Sequence, residues 1–232
     1  MPLLKPSNDS NMFPGWHRWN IIGGCKDHAC SYCYIKAMDK RFKTDLMRPR
    51  FKWDYLNDNL GSGKKIFCCS SGDAWGDWVL PERRSDMLKH CRKYSDNTYM
   101  YLSKNSGNYL LHHGEFPPDC ILGVTVETNR TISQRISKAP LIGDRLNDLM
   151  TVKLFADHVK LMMSIEPVMD FDLPIFLEAI GVVSPDLVYI GADTGRNKLP
   201  EPSSDKVLAL IDGMEALGIK VHQKSNLKRL IG

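Results

Sequence analysis

Seven short runs of strand-forming residues recur along the chain with helically patterned stretches between them, and this alternation restricts the fold to helices layered on a sheet. The runs fall near 19–22, 65–70, 98–103, 121–127, 160–166, 187–192 and 220–223. The stretch 82–94 places Met87, Leu88, Cys91 and Tyr94 at three-to-four spacing. The stretch 205–217, with Ser203 and Ser204 before it as N-caps, gathers Val207, Leu208, Leu210, Ile211, Met214 and Leu217 on one side. Repeated strand-helix units predict an α/β fold: a parallel sheet wound by right-handed crossovers. Seven such units predict a partial or nearly closed (β/α) barrel of six to seven mainly parallel strands, with an open doubly wound sheet as the alternative. A length of 232 residues, 43% hydrophobic, accommodates one such core, so 16–232 is read as a single domain behind a flexible segment 1–15.

Strand parity separates the faces of the sheet. In the run 123–127, Val124 and Val126 oppose Gly123, Thr125 and Glu127; in 161–166, Leu161, Met163 and Ile165 oppose Met162, Ser164 and Glu166. In 188–193, Val188, Ile190 and Ala192 oppose Tyr189, Gly191 and Asp193; in 219–224, Ile219 and Val221 oppose Lys220, His222 and Lys224. The apolar parity suits packing on helices. The mixed parity predicts a polar barrel interior. Asp73, Lys104, Glu127, Glu166, Asp193 and Lys224 also fall at or just past the carboxyl ends of strands, the edge where such sheets bind ligands. Glu127, Glu166, Asp193 and Lys224 are therefore the candidates for catalysis.

Cys25, Cys30 and Cys33 occupy a nine-residue segment, CKDHACSYC, on the loop after the first strand. Three thiolates are one fewer than a closed metal site requires, and an open position is what distinguishes a site that does chemistry. Cys68, Cys69, Cys91 and Cys120 read as buried apolar residues. An odd cysteine count and the lack of an apolar stretch in the first twenty residues argue against export and disulfides. No run approaches the roughly eighteen apolar residues of a membrane span, so the expectation is a cytoplasmic protein without a membrane partner. His28 stands as a possible fourth ligand of a zinc site. Between Lys36 and Lys52, seven basic residues face two aspartates, a local excess of +5, while the rest of the chain sums to −1. Such a patch suits an anionic, nucleotide-like or nucleic-acid partner, or a solvated helix face.

The segment CKDHACSYCY resembles the cluster loop of the radical S-adenosylmethionine (radical SAM) superfamily, whose usual pattern is C-x3-C-x-aromatic-C, with Tyr32 at the aromatic position and one additional residue between the first two cysteines. The pieces WNIIGGC, FCCSSGDAW, YLSKN, LGVTVET, MMSIEP, YIGADTG and VHQKSN are similar to a phage-associated family of radical-SAM-like proteins, and together they sample residues 19–226. The resemblance implies a 4Fe-4S cluster held by Cys25, Cys30 and Cys33. S-adenosylmethionine would chelate the fourth iron, an external electron donor would reduce the cluster, and cleavage would give a 5'-deoxyadenosyl radical that abstracts hydrogen from substrate. It also implies that the Ser70-Ser71-Gly72-Asp73 segment receives the methionine amino group, with Ser71 and Gly72 offering backbone groups. Tyr32 would lie by the adenine and Thr125 and Glu127 near the ribose. The Glu166 region would lie near the methionyl carboxylate or adenine, and since like charges repel, Glu166 itself is expected to face a ribose hydroxyl, a cation or the substrate. If the chain is phage-encoded, its place is the host cytoplasm. Two other readings stand beside this one: a zinc- or cluster-stabilised nucleic-acid-binding module, and an electron carrier, which normally has four protein ligands.

Overall fold

The computed structural model describes residues 13–195 and 197–232, so residues 1–12 of the segment read as flexible lie outside the described residues. The strands are β1 (His17–Trp19), β2 (Ile22–Gly23), β3 (Arg50–Phe51), β4 (Lys65–Cys68), β5 (Thr98–Ser103), β6 (Cys120–Thr125), β7 (Lys160–Ile165), β8 (Leu187–Ile190) and β9 (Lys220–Gln223). The helices are α1 (Tyr34–Phe42), α2 (Pro81–Arg92), α3 (Gly107–Leu110), α4 (Ser133–Ile136), α5 (Ile142–Phe155), α6 (Leu173–Val183), α7 (Ser204–Ala216) and α8 (Lys228–Ile231).

Seven strands form one sheet in the order β1-β4-β5-β6-β7-β8-β9, and every neighbouring pair is parallel. The order never reverses, as it would in a doubly wound sheet, and β9 does not pair with β1. The fold is a partial barrel. The run expected as one strand over 19–22 is divided: β1 stops at Trp19, and β2 leaves the sheet to pair antiparallel with β3. Helix α7 begins where Ser203 Oγ accepts the Lys206 N–H at 3.4 Å, and it buries Val207, Leu210, Ile211 and Met214. Burying each such side chain stabilises the fold by about 1.5–3 kcal/mol.

Parity works as the sequence predicts. Leu122, Val124, Leu161, Met163, Val188 and Ile190 join the main core on the helix-covered face. The opposite face differs from the polar interior expected, because its floor is a second apolar cluster of Phe13, Trp16, Phe67, Met100, Ile121, Met162 and Tyr189. An open barrel exposes its concave face, and Phe13 and Trp16, arriving from ahead of β1, cover it. The Phe13 ring meets Phe67 and Tyr189 edge-on at 5.0 and 4.6 Å. The cavity's charged groups lie above this floor, toward the carboxyl ends of the strands.

Candidate active site

The cysteine loop is placed by a crossing of two backbones. Gly24 pairs with Gly72, Gly24 N–H donates to Ser71 O at 3.1 Å, and Asp73 N–H donates to Gly24 O at 3.2 Å. A Cβ on Gly72 would stand 2.2 Å from Gly24 O; Gly24 itself has φ 88°, where a Cβ would stand 2.3 Å from Arg48 O. Only glycine permits that approach. Beyond it, Cys25 N–H donates to Met47 O at 3.0 Å, Ser31 N–H to Ile136 O at 2.8 Å and Lys138 N–H to His28 O at 2.7 Å. The Cys30 thiol lies 3.3 Å from Ser137 Oγ. The four-residue spacer turns through Ala29 at φ 46° and buries His28.

Cys25, Cys30 and Cys33 remain free thiols and line one cavity of about 410 Å³. Among the described residues, no group of three His, Cys, Asp or Glu side chains is arranged to hold a metal ion. A four-iron cluster instead offers a separate iron to each thiolate, so its ligands stand farther apart than those of one ion. Burial, the Asp73 carboxylate and the neighbouring Cys30 push the Cys25 thiol up to about 12. Coordinated metal supplies the positive charge that such a sulfur needs to ionise. The three thiols are the cysteine donors that this wall offers to a metal group. The remaining four cysteines are buried in the core, as expected.

Asp73 is the tie between this loop and the sheet. It is buried and accepts from His28 Nε2 at 2.8 Å, Ser103 Oγ at 2.8 Å, Lys104 N–H at 2.9 Å and Trp75 N–H at 2.9 Å. Those donors, His28 first, hold its carboxyl below the usual range against the cost of burial. His28 is thereby committed to Asp73 and packs edge-on against Trp78 at 4.9 Å. Trp75 and Trp78 are part of this packing: Trp75 is buried against Tyr109 at 4.6 Å.

Glu127 anchors a second network. Its carboxylate accepts from Lys104 Nζ, Tyr32 OH and, at 3.1 Å, Arg145 Nη1, while Lys104 Nζ also reaches Tyr32 OH and lies 4.7 Å from that ring. Arg145 further donates to Thr125 O at 2.8 Å and Pro140 O at 2.7 Å. Although burial opposes ionisation, Lys104 and Arg145 bring the Glu127 carboxyl down to about 2. Burial and the adjacent Glu127 charge raise the Tyr32 hydroxyl well above its ordinary range. Glu127 thus fixes the orientation of Tyr32.

Across the cavity, Glu166 accepts from Lys224 Nζ and, at 3.0 Å, from Asn226 Nδ2, which also donates to Ala192 O at 2.8 Å. Gly191 leaves room for this pair, since a Cβ there would lie 2.8 Å from both Glu166 Oε1 and Asn226 Oδ1. Lys224 Nζ also sits 4.5 Å from the Phe13 ring. Asp193 accepts from Gly195 N–H at 3.0 Å, Asn197 N–H at 2.6 Å and Asn197 Nδ2 at 2.7 Å, closing its own loop.

Of the residues singled out by sequence, the fold brings Tyr32, Gly72, Asp73, Thr125, Glu166, Asp193 and Lys224 to the same cavity wall as the three cysteines. Glu127 is buried behind Tyr32 and Lys104 rather than on the wall. Ser71 is also off the wall: its N–H donates to Asn20 Oδ1 at 3.2 Å and its carbonyl takes the Gly24 N–H. His222 stacks on Tyr189 at 4.8 Å in the floor. Arg145, Ser103, Ser137 and Phe13 are contributors that sequence patterns did not single out. For Arg145 a signal existed: it shares the buried stripe of α5 with Leu149 and Val152.

The family model described as "Protein of unknown function (DUF5131)" matches residues 15–224. No curated protein matches the chain. Among solved structures, the fold is similar to a variant of spore photoproduct lyase with dinucleoside spore photoproduct, at TM-score 0.68 and 10% identity, over 96% of this chain and 82% of that one. Spore photoproduct lyase complexed with dinucleoside spore photoproduct gives TM-score 0.67 at 10% identity, over 92% and 78%. A further variant, with bound AdoMet and dinucleoside spore photoproduct, gives 0.68 at 9% identity, over 96% and 81%. At these identities the likeness is one of fold.

Proposed function

The chain belongs to the family described as Protein of unknown function (DUF5131), and we propose that it is a radical SAM enzyme acting on a nucleotide-like substrate. The observation that carries this reading is the joint placement of three free thiols from one short loop on the wall of a single cavity at the carboxyl edge of a parallel partial barrel. Cys25, Cys30 and Cys33 would hold a 4Fe-4S cluster, leaving one iron for S-adenosylmethionine. Together with an electron from an external donor, that pair supplies reductive cleavage of the sulfonium and a 5'-deoxyadenosyl radical for hydrogen abstraction.

The protein's own part is positioning and exclusion of water. Tyr32, held by Glu127 and Lys104, offers a fixed aromatic edge for the adenine. Gly72 brings backbone within reach of the methionyl group, while Ser71 supports it from behind. Thr125 lies on the wall beside Ser164 and serves the ribose. Glu166 and Lys224, paired with one another, form the opposite wall, where a polar substrate group exchanges with either partner. Asp193 completes that wall. The apolar floor keeps water from below. Proteins of this fold have been solved with a dinucleoside ligand, one of them with bound AdoMet as well, and both ligands support the choice of cofactor and substrate class.

Anaerobic purification tests the proposal. Brown protein with about four irons per chain, which forms 5'-deoxyadenosine when reduced with S-adenosylmethionine, supports it. Loss of that iron on replacing any one of Cys25, Cys30 or Cys33 by Ser, but not Cys91 or Cys120, assigns the ligands. Zinc in place of iron, or iron retained without the three thiols, refutes it.

A further inference from the structure

Helix α1 follows the cysteine loop directly and leaves one long face uncovered among the described residues. Its buried side is carried by Ile35, whereas Tyr34, Met38 and Phe42, spaced four apart and thus aligned along one face, are 50%, 38% and 55% exposed. Tyr34 lines the cavity, so the stripe begins at the rim of the site and runs outward. Arg41 lies over the Phe42 ring at 5.2 Å. Lys36, Lys40 and Lys43 are exposed on another face of the same helix and its C-cap. The return segment adds exposed Arg48 and Trp53, the latter 53% exposed with the Arg83 guanidinium 3.9 Å from its ring.

This excursion is firmly built. The Asp39 carboxylate accepts from Thr44 Oγ1 and Met47 N–H, both at 2.8 Å, and Arg50 Nη1 donates to Asp45 O and Arg48 O, both at 3.1 Å. Through Cys25 N–H to Met47 O it is bonded to the cysteine loop itself. The excess of +5 in this one segment exceeds the chain's net +4.

We propose that this face is a docking surface for single-stranded nucleic acid, whose reacting nucleotide then enters the cavity; the inference rests on, and narrows, the functional reading above. Exposed flat or polarisable side chains interleaved with Lys and Arg suit a strand whose bases stack while its phosphates are neutralised. A free nucleotide would leave the stripe unused, because a cavity of about 410 Å³ that must also admit a cofactor has no use for aromatic groups outside its rim. A lipid surface fits less well. At nine residues, α1 is short, its apolar stripe is narrow and basic groups flank it, whereas membrane-lying helices present a broad apolar face.

The test is fluorescence anisotropy of a labelled single-stranded oligonucleotide of about 12 residues with the full chain, over a range of salt concentrations. Binding should weaken log-linearly with salt, and replacing Lys36, Lys40 and Lys43 by Ala should flatten that slope by about 0.7 for each phosphate left without its cation. Phe42→Ala should weaken binding at least about five-fold with the salt slope unchanged. Both variants should keep the wild-type melting temperature, iron content and substrate-free cleavage of S-adenosylmethionine. Unchanged affinity in all variants, no binding, or binding only to vesicles containing phosphatidylserine would overturn the inference while iron and cleavage still upheld the enzyme. Strand binding by a protein that holds no iron would uphold the surface and sink the enzyme.

Discussion

Glu127→Gln separates a structural carboxylate from a catalytic one. In the fold, Glu127 is 1% exposed and faces Lys104, Arg145 and Tyr32, and its carboxyl is lowered from its ordinary 4.5 to about 2. A depression of about 2.5 units at 1.36 kcal/mol each is worth about 3 kcal/mol of folding stability. Because the folded group ionises more readily than the unfolded one, that stability is fully present above about pH 4.5 and is lost as pH falls toward 2. The amide cannot repay the buried Arg145 and the partly buried Lys104, so the variant should be about 3–5 kcal/mol less stable at pH 7. Urea unfolding at a series of pH values, followed by circular dichroism, measures both quantities. The difference between wild type and variant should shrink from pH 5 to pH 2. A difference that stays constant over that range would refute the assignment of Glu127 as an ionised hub, as would a variant as stable as wild type at pH 7.

Gly72→Ala should force the two backbones apart, because its Cβ would stand 2.2 Å from Gly24 O; overpacking of about 1–3 kcal/mol, with two hydrogen bonds at about 1 kcal/mol each, predicts a loss near 3–5 kcal/mol and impaired iron retention, read by thermal melting and iron assay. His28→Gln should keep the iron, because the proposed ligands are the three thiols and the His28 Nε2 contact is to Asp73; loss of iron with the fold intact would make His28 a ligand. Lys224→Met should cost about 1–3 kcal/mol by stripping Glu166 of its ammonium partner, and should change substrate affinity more than iron content, measured by unfolding and by titration with a nucleotide. Arg145→Met should copy most of the Glu127→Gln destabilisation, and a double-mutant cycle should give a coupling above about 0.5 kcal/mol.

The parity of strands β6 to β9 and the carboxyl-edge position of Glu166, Asp193 and Lys224 were legible because period-two alternation is a local property of extended backbone. The glycine pair was visible in GGC and SSGD, but not that the two glycines touch, for they lie forty-eight positions apart and meet only when β1 and β4 pair. The division of 19–22 into β1 and a strand that turns away was not legible either, since Trp19, Ile21 and Ile22 all suit a strand and only the partner β3 distinguishes them. Likewise the interior looked polar in sequence because parity describes the strands alone; the residues that fill its floor include Phe13 and Trp16, which come from outside the sheet.

What the sequence determined by itself is the set of short-range facts: three thiols within nine residues, the strand-helix alternation, and the concentration of positive charge in one segment. Local spacing fixes these whatever the rest of the chain does. Only the tertiary structure decided which charged groups face the cavity and which are spent holding it. Glu127 and Asp73 carry the same kind of side chain as Glu166, yet the first is enclosed by cations and the second by hydrogen-bond donors from its own loop and two other segments. The role of a carboxylate depends on its neighbours in space, and those are supplied by long-range strand pairing that no local pattern encodes.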